Sequence, residues 1–146
     1  MHWPSYERIM LRVETKSRAR AVQILYAWEL QSGRSVPVVV SGVARLTGPE
    51  PLILDRAEEL AAQVIADIDA LDAELKQAAE NWRMSRIAAV ERNILRLGIH
   101  ELRRGEVPPK VAIDEAVKLA RWFGGARASS FVNGVLDGVA HSMGRL

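Results

Sequence analysis

The stretch "RIAAVERNILRLGIHELRRG", residues 86–105, constrains the fold of this chain more than any other. At about 100° per residue, Ile87, Val90, Ile94, Leu95, Leu97, Ile99 and Leu102 cover most of a helix's circumference. A helix that is apolar nearly all round must be enclosed on several sides, so other elements have to wall it in. Gly105 and the "VPP" after it end this helix. The candidate walls are helical too. Leu54, Ala57, Ala61, Val64, Ile65, Ile68, Leu71 and Leu75 recur at helical spacing from about Leu52 to Gln77, with acids spaced as a solvated opposite face.

Further helices follow the same logic. A first helix runs from about Thr15 to Ser32 and stops at Gly33. "KVAIDEAVKLARWFGG" closes at Gly124 as C′, with Asp114 and Glu115 placed to stabilise a helix N-terminus. "SSFVNGVLDGVAHSM" opens at a Ser129 or Ser130 N-cap. "ENWRMSR" is a break, with Ser85 as a candidate cap. "RSVPVVVSGVARLTGPEP" is interrupted by Pro37, Gly42, Gly48, Pro49 and Pro51, and forms a short helix or an irregular packed segment. It is not read as a strand, because no partner strand is visible. Residues 1–14 lack a clear period and read as a flexible N-terminal arm, ahead of one helical domain over 15–146. The expectation is an all-α protein of six or seven helices, with antiparallel neighbours and short loops.

A chain of 146 residues, 49% apolar and 26% charged, can bury a real core within one domain. Cysteine is absent, which excludes disulfides and thiolate metal sites. No apolar run is long enough to span a bilayer and the start has no signal-peptide character, so a cytoplasmic location is expected. His2, His100 and His141 are dispersed, and none has a metal-ligand partner one turn away. P-loop, GxGxxG, GxSxG and HExxH motifs are all missing. The expectation is therefore a protein that binds rather than catalyses, with no cofactor and no metal.

Net charge is only +2, but its distribution is uneven. Residues 50–80 hold nine acids against Arg56 and Lys76, while residues 81–127 hold ten cations against five acids. Segregated basic surface is a footprint for nucleic acid, although the two signs could equally pair across the fold. In "KSRARAVQILYAWEL", residues 16–30, Ala21, Ile24, Leu25 and Trp28 share one helical face. Tyr26 points about 150° away from that stripe. It lies on the arc of Lys16, Arg20 and Gln23, with Arg18 to one side. Cations for phosphates beside a ring for base stacking suit single-stranded nucleic acid, with stacking worth about 1–3 kcal/mol per base. The competing reading packs Tyr26 under a neighbouring helix.

A second candidate site is "RWFGGARASSF". Arg121 and Arg127 flank a glycine pair, and Ser129 stands where a helix opens, as in a phosphate-binding turn. An ordinary helix corner would need no ligand. Asn133 followed by Gly134 is poor for helix propensity, so something other than helix formation favours it.

These same residues carry a family resemblance. "RARAVQILYAWEL", "RIAAVERNILRLGIHEL", "VPPKVAIDEAVKLARWFG" and "SSFVNGVLDGVA" resemble the NusB family of bacterial transcription antitermination factors, in family order from about Lys16 to Ala140. The resemblance implies a seven-helix fold of two small three-helix bundles packed at a steep angle. It implies binding of single-stranded boxA RNA in ribosomal RNA transcripts together with NusE, a small-subunit ribosomal protein. It also implies joining other Nus factors on RNA polymerase.

Carried over by position, the basic start of the family's first helix matches Lys16 and Arg18, and its RNA-facing tyrosine matches Tyr26. Its turn and last helix match Phe123, Gly124, Phe131 and Asn133, and an acid associated with NusE matches Glu91. The chain departs from the family in carrying Arg20 where a small residue is common. Arg127 and Ala128 stand where an acid and a serine are frequent.

Two alternatives stay open at this point. One is a helical protein-interaction module with secondary RNA binding, akin to the accessory domain of ribosomal RNA cytosine methyltransferases. With no cofactor-binding βαβ unit in the sequence, the chain is not expected to be that enzyme. The other is a duplex-DNA-binding helical protein, disfavoured by the lack of a helix-turn-helix signature. A homodimer that buries the basic face is also left open.

Overall fold

The computed structural model describes residues 12–80 and 86–146. Among them are six helices and no strand: α1 (Val13–Leu30), α2 (Val36–Thr47), α3 (Pro51–Ala66), α4 (Ile68–Ala78), α5 (Ala89–Arg104) and α6 (Pro109–Ser142). α6 is broken at Gly125, so it consists of two helical segments. The chain divides into two compact units, Met1–Ala66 and Asp67–Leu146, and the described residues of each form three of these helices.

In the first unit α1 packs chiefly on α3 and also on α2. α2 is the segment whose prolines and glycines left helix and irregular structure both open. It is a helix because Pro37 falls in its first turn, where a missing N–H costs nothing, and Gly48 closes it at φ 92°. Val39 and Val43, one turn apart, are its buried residues. On α3 Leu54, Ala57, Ala61 and Val64 are buried at the expected spacing.

The run expected as one helix from Leu52 to Gln77 is two. Asp67 leaves helical geometry at φ −110° and ψ 18°, and α4 begins after it. The apolar period passes through this break nearly unchanged, which is why the pattern alone did not reveal it.

In the second unit α5 is the enclosed helix that its sequence demands. It packs against α6 and α4, and every residue from Asn93 to His100 is buried. Gly98 lets α6 approach closely: a Cβ there would lie 2.7 Å from Leu136 Cδ1 on α6. Gly105 ends α5 in the left-handed region at φ 68°, and its N–H donates to the Glu101 carbonyl.

Two expected helix-terminus roles are not met. α6 begins at Pro109, so Asp114 and Glu115 lie beyond its first turn, and Glu115 pairs with Lys118 at 3.4 Å instead. Neither Ser129 nor Ser130 caps a helix. The non-helical residue is Gly125, and the Ser129 hydroxyl donates back to the Ala126 carbonyl at 2.8 Å. Of the proposed N-terminal arm, residues 1–11 lie outside the described residues. Arg12 precedes α1, and Val13 and Glu14 belong to its first turn. Ser85 also lies outside.

Candidate nucleic-acid interface

α1 does not present the open polar face that a helical wheel suggests. Every residue from Ala19 to Leu25 is buried, including Arg20 and Gln23. A buried guanidinium must be paired and hydrogen-bonded to be tolerated, and Arg20 meets that requirement inside the first unit. Its Nη2 lies 3.0 Å from Glu50 Oε1 and its Nε 3.3 Å from the same oxygen, while Nη1 donates to Gln23 Oε1 at 3.0 Å.

Arg20, Gln23 and Glu50 thus form a clamp between α1 and the segment leading into α3. The charge at Arg20, expected to face a ligand, is neutralised within the fold. Arg18 is buried as well. Lys16 and Tyr26 are each half-buried, and Tyr26 opens a last turn in which Ala27, Trp28 and Glu29 are half-buried too.

Sequence reasoning gave Glu50 no role of its own. The available signal was its position in "GPEP", an acid held between two prolines directly ahead of a helix. Trp28, placed with the core stripe, is only half-buried.

The second unit holds a matching clamp and a contrasting surface. Arg96 donates from Nε to Asp72 Oδ1 at 2.7 Å and from Nη2 to Asp72 Oδ2 at 2.9 Å. This two-pronged geometry is the strongest available to a guanidinium and a carboxylate. Nη1 of Arg96 donates to Asn93 Oδ1 at 2.9 Å, and Asn93 Nδ2 donates to the Ala89 carbonyl. Asp72, read as part of a solvated face, is therefore a tie between α4 and α5.

The kink in α6 is the contrast. Gly125 adopts φ 86° and ψ −168°, a conformation essentially reserved for glycine, so the helix can stop and restart within one residue. Around it Arg121, Gly124, Ala126 and Arg127 are exposed, and Phe123 and Phe131 are half-buried. Arg121 and Arg127 make no ion pair among the described residues.

Asn133 is exposed beside Gly134, one turn beyond Ser130, so its poor helix propensity is not offset by a buried hydrogen bond. Ser129 is buried with its hydroxyl already used. Glu91, in the first turn of α5, also reaches this place. Its Oε1 would lie 3.6 Å from a Cβ on Gly124. Arg121, Phe123, Arg127, Phe131 and Asn133 thus lie along the two segments of α6 that meet at Gly125, with Glu91 of α5 close to Gly124, and Arg121 and Arg127 are exposed without an ion pair among the described residues.

Among the described residues no group of three or more potential ligands is placed to hold a metal ion, and no helix is long and apolar enough to cross a membrane.

A chain whose described residues form helices in two units, with a glycine-broken last helix bearing arginines that make no ion pair among those residues, has relatives among bacterial transcription factors. The NusB family model matches residues 15–141, and the chain belongs to the NusB family. The transcription antitermination protein NusB of Sorangium cellulosum (strain So ce56) is 44% identical over 130 residues, spanning 88% of this chain and 92% of that one. The protein of the same name from Myxococcus xanthus (strain DK1622) is 36% identical over 132 residues, spanning 88% and 94%.

Among solved structures, a chain from the complex of antitermination factors NusB and NusE with double-stranded RNA superposes with a TM-score of 0.78. It is 25% identical, with 90% of this chain and 98% of that one covered. The solution structure of NusB from Aquifex aeolicus gives a TM-score of 0.77 at 26% identity, with 90% of each chain covered.

Proposed function

We propose that this chain is a cytoplasmic transcription antitermination factor and not an enzyme. It binds boxA-type RNA of ribosomal RNA transcripts together with the NusE ribosomal protein, and joins the Nus assembly on RNA polymerase. Family membership over nearly the whole chain supports this reading, as do relatives named for antitermination. The observation that carries it furthest is the structural neighbour in which a NusB-fold chain is held with NusE and RNA.

On this reading the contacts to RNA divide by physical type. Arg121 and Arg127 meet phosphates, because they are exposed and unpaired. Lys16 adds a cation at the start of α1. Tyr26, Phe123 and Phe131 offer ring faces, and Asn133 offers an amide for a base edge. Arg18, Arg20, Gln23 and Ser129 support these groups from within the fold, since all four are buried. Glu91 is the candidate contact for NusE, an unpaired carboxylate beside the basic turn.

The test is a fluorescence-anisotropy titration of the full chain with a labelled boxA-like RNA of roughly 12 nucleotides, within the range of small single-strand binders. A scrambled strand and a duplex of the same length run beside it, each with and without NusE. The expected result is tighter binding of the boxA strand when NusE is present, with no such gain for the scramble. The duplex arm matters because the RNA in the neighbouring complex is double-stranded. Equal, weak binding of all three RNAs in every condition would overturn the reading in favour of a protein-interaction module.

A further inference from the structure

The second unit carries a cleft that the RNA reading does not use. It lies between the last turns of α4 and α6, with a volume of about 280 Å³. Glu74, Gln77 and Ala78 line one side, and Gly138, Val139, Ser142 and Met143 line the other. Glu74 is the anomaly. Its Oε2 is sealed from solvent without a hydrogen-bond partner, and the side chain makes no ion pair among the described residues. Buried carboxylate oxygens in folded proteins are nearly always partnered, because leaving a charged acceptor unsatisfied is costly.

The groups around Glu74 are selective in kind. Gln77 and Ser142 each bring a side-chain oxygen. The last turns of two helices meet here, where carbonyl groups and the negative end of the helix dipole favour a positive charge. Ala78, Val139 and Met143 add apolar wall of the kind that a methylene stem covers.

Gly138 leaves the floor empty, since nothing lies within 4 Å of where its Cβ would be. The volume is below the roughly 300–1,000 Å³ usual for small-molecule ligands, and suits one long side chain. Within the same unit, residues 67–80, which include one wall, carry five acids against one cation, a field that repels RNA and draws in basic polypeptide.

We propose that this cleft receives a single cationic side chain, guanidinium or ammonium, presented by a basic protein segment, with Glu74 as its counter-charge. The site is separate from the arginines at the α6 kink and does not depend on RNA binding.

The experiment is an amide-resolved NMR titration of the full chain with a short acetylated and amidated peptide carrying one arginine among alanines and glycines. The same peptide with citrulline, which keeps the shape and lacks the charge, is the first control. Spermidine is the second, as a free small cation.

The expected result is that the arginine peptide shifts the amides of Gln77, Gly138 and Ser142, and the citrulline peptide does not. Glu74→Gln should weaken binding about tenfold, the loss expected when a charge-assisted contact becomes neutral. It should fold normally, because it removes an unpaired charge. Gly138→Leu should fill the cleft and abolish the shifts; if that variant fails to fold, Glu74→Gln alone decides. Equal shifts from arginine and citrulline peptides, or wild-type binding by Glu74→Gln, would overturn the proposal. So would occupation of the cleft by spermidine while the arginine peptide leaves it untouched.

Discussion

In α1 the arginine that a helical wheel turns outward is folded inward and tied to Glu50 and Gln23, while at the α6 kink Arg121 and Arg127 stand exposed with no carboxylate paired to them among the described residues. Both stretches look alike as sequence: cations, an aromatic ring and an amide within a dozen residues. They differ in whether an acid is engaged. α1 has one on the segment before α3, and Arg20 uses it. The kink has Glu91 close to Gly124, yet neither arginine pairs with it. Charge counted along a chain is therefore not charge available to a phosphate. Of the candidate RNA-binding residues, the first unit holds a half-buried ring and one lysine, and the second holds exposed cations.

The largest effect that would break this comparison is on stability. Arg20→Ala leaves Glu50 and Gln23 without their donor. Unfolding free energy should fall by about 2–3 kcal/mol, below the ~3–5 kcal/mol of a fully buried pair because Glu50 keeps some contact with water. Chemical denaturation reads this directly. The double variant Arg20→Ala, Glu50→Ala should lose less than the sum of the two single changes. An Arg20→Ala protein as stable as the parent, with weakened RNA binding, would mean that the clamp opens and Arg20 reaches the ligand after all.

Gly125→Ala comes next. A side chain at φ 86° and ψ −168° is strained by about 1–3 kcal/mol, so thermal stability should drop. RNA affinity should drop with it, because Arg121 and Arg127 lose their relative placement. A stable Gly125→Ala protein that binds RNA like the parent would remove the kink from the interface.

The ring and the cations can then be separated. Tyr26→Ala should cost about 1–3 kcal/mol of RNA binding if a base stacks on it. Arg127→Ala should leave stability within about 0.5 kcal/mol, as an exposed change away from packing does. It should also reduce the steepness of the log affinity against log salt plot by about 0.7, one phosphate contact. No change in that slope would place Arg127 outside the ligand's path.

The smallest effect concerns pH. His100 is buried on α5, and desolvation, followed by the nearby Arg104 cation, lowers its pKa from the ordinary 6.5. The unfolded chain then binds the proton more readily than the folded one. Stability is fully present above the unfolded value and is lost as pH falls through 6.5 toward the depressed folded value. Melting temperatures between pH 7 and 5 should fall less for His100→Asn than for the parent. Parallel curves would show that other groups set the acid limit.

Much of the architecture was legible in the residues. The enclosed α5, the stop at Gly105, and the core positions Leu54, Ala57, Ala61, Val64, Leu71 and Leu75 all follow from helical period and glycine conformation. The break at Asp67 was not legible, because the apolar stripe runs through it. The stop was placed at Gly124, one residue early, since either member of a glycine pair can take a positive φ and local sequence does not choose between them; the restart was placed at Ser129 or Ser130, whereas the break is confined to Gly125.

The candidate site divided along the same line. The residue types suited to RNA were visible, and so was the kink that carries Arg121 and Arg127. That Arg20 serves the fold was not, because its partner Glu50 lies 30 residues away and only folding brings the two together. The sequence by itself determined an all-helical chain with one helix enclosed on several sides, for periodicity is a local property that burial must respect. Tertiary structure alone decided which charges remain free, because pairing in space depends on distances that no local pattern encodes.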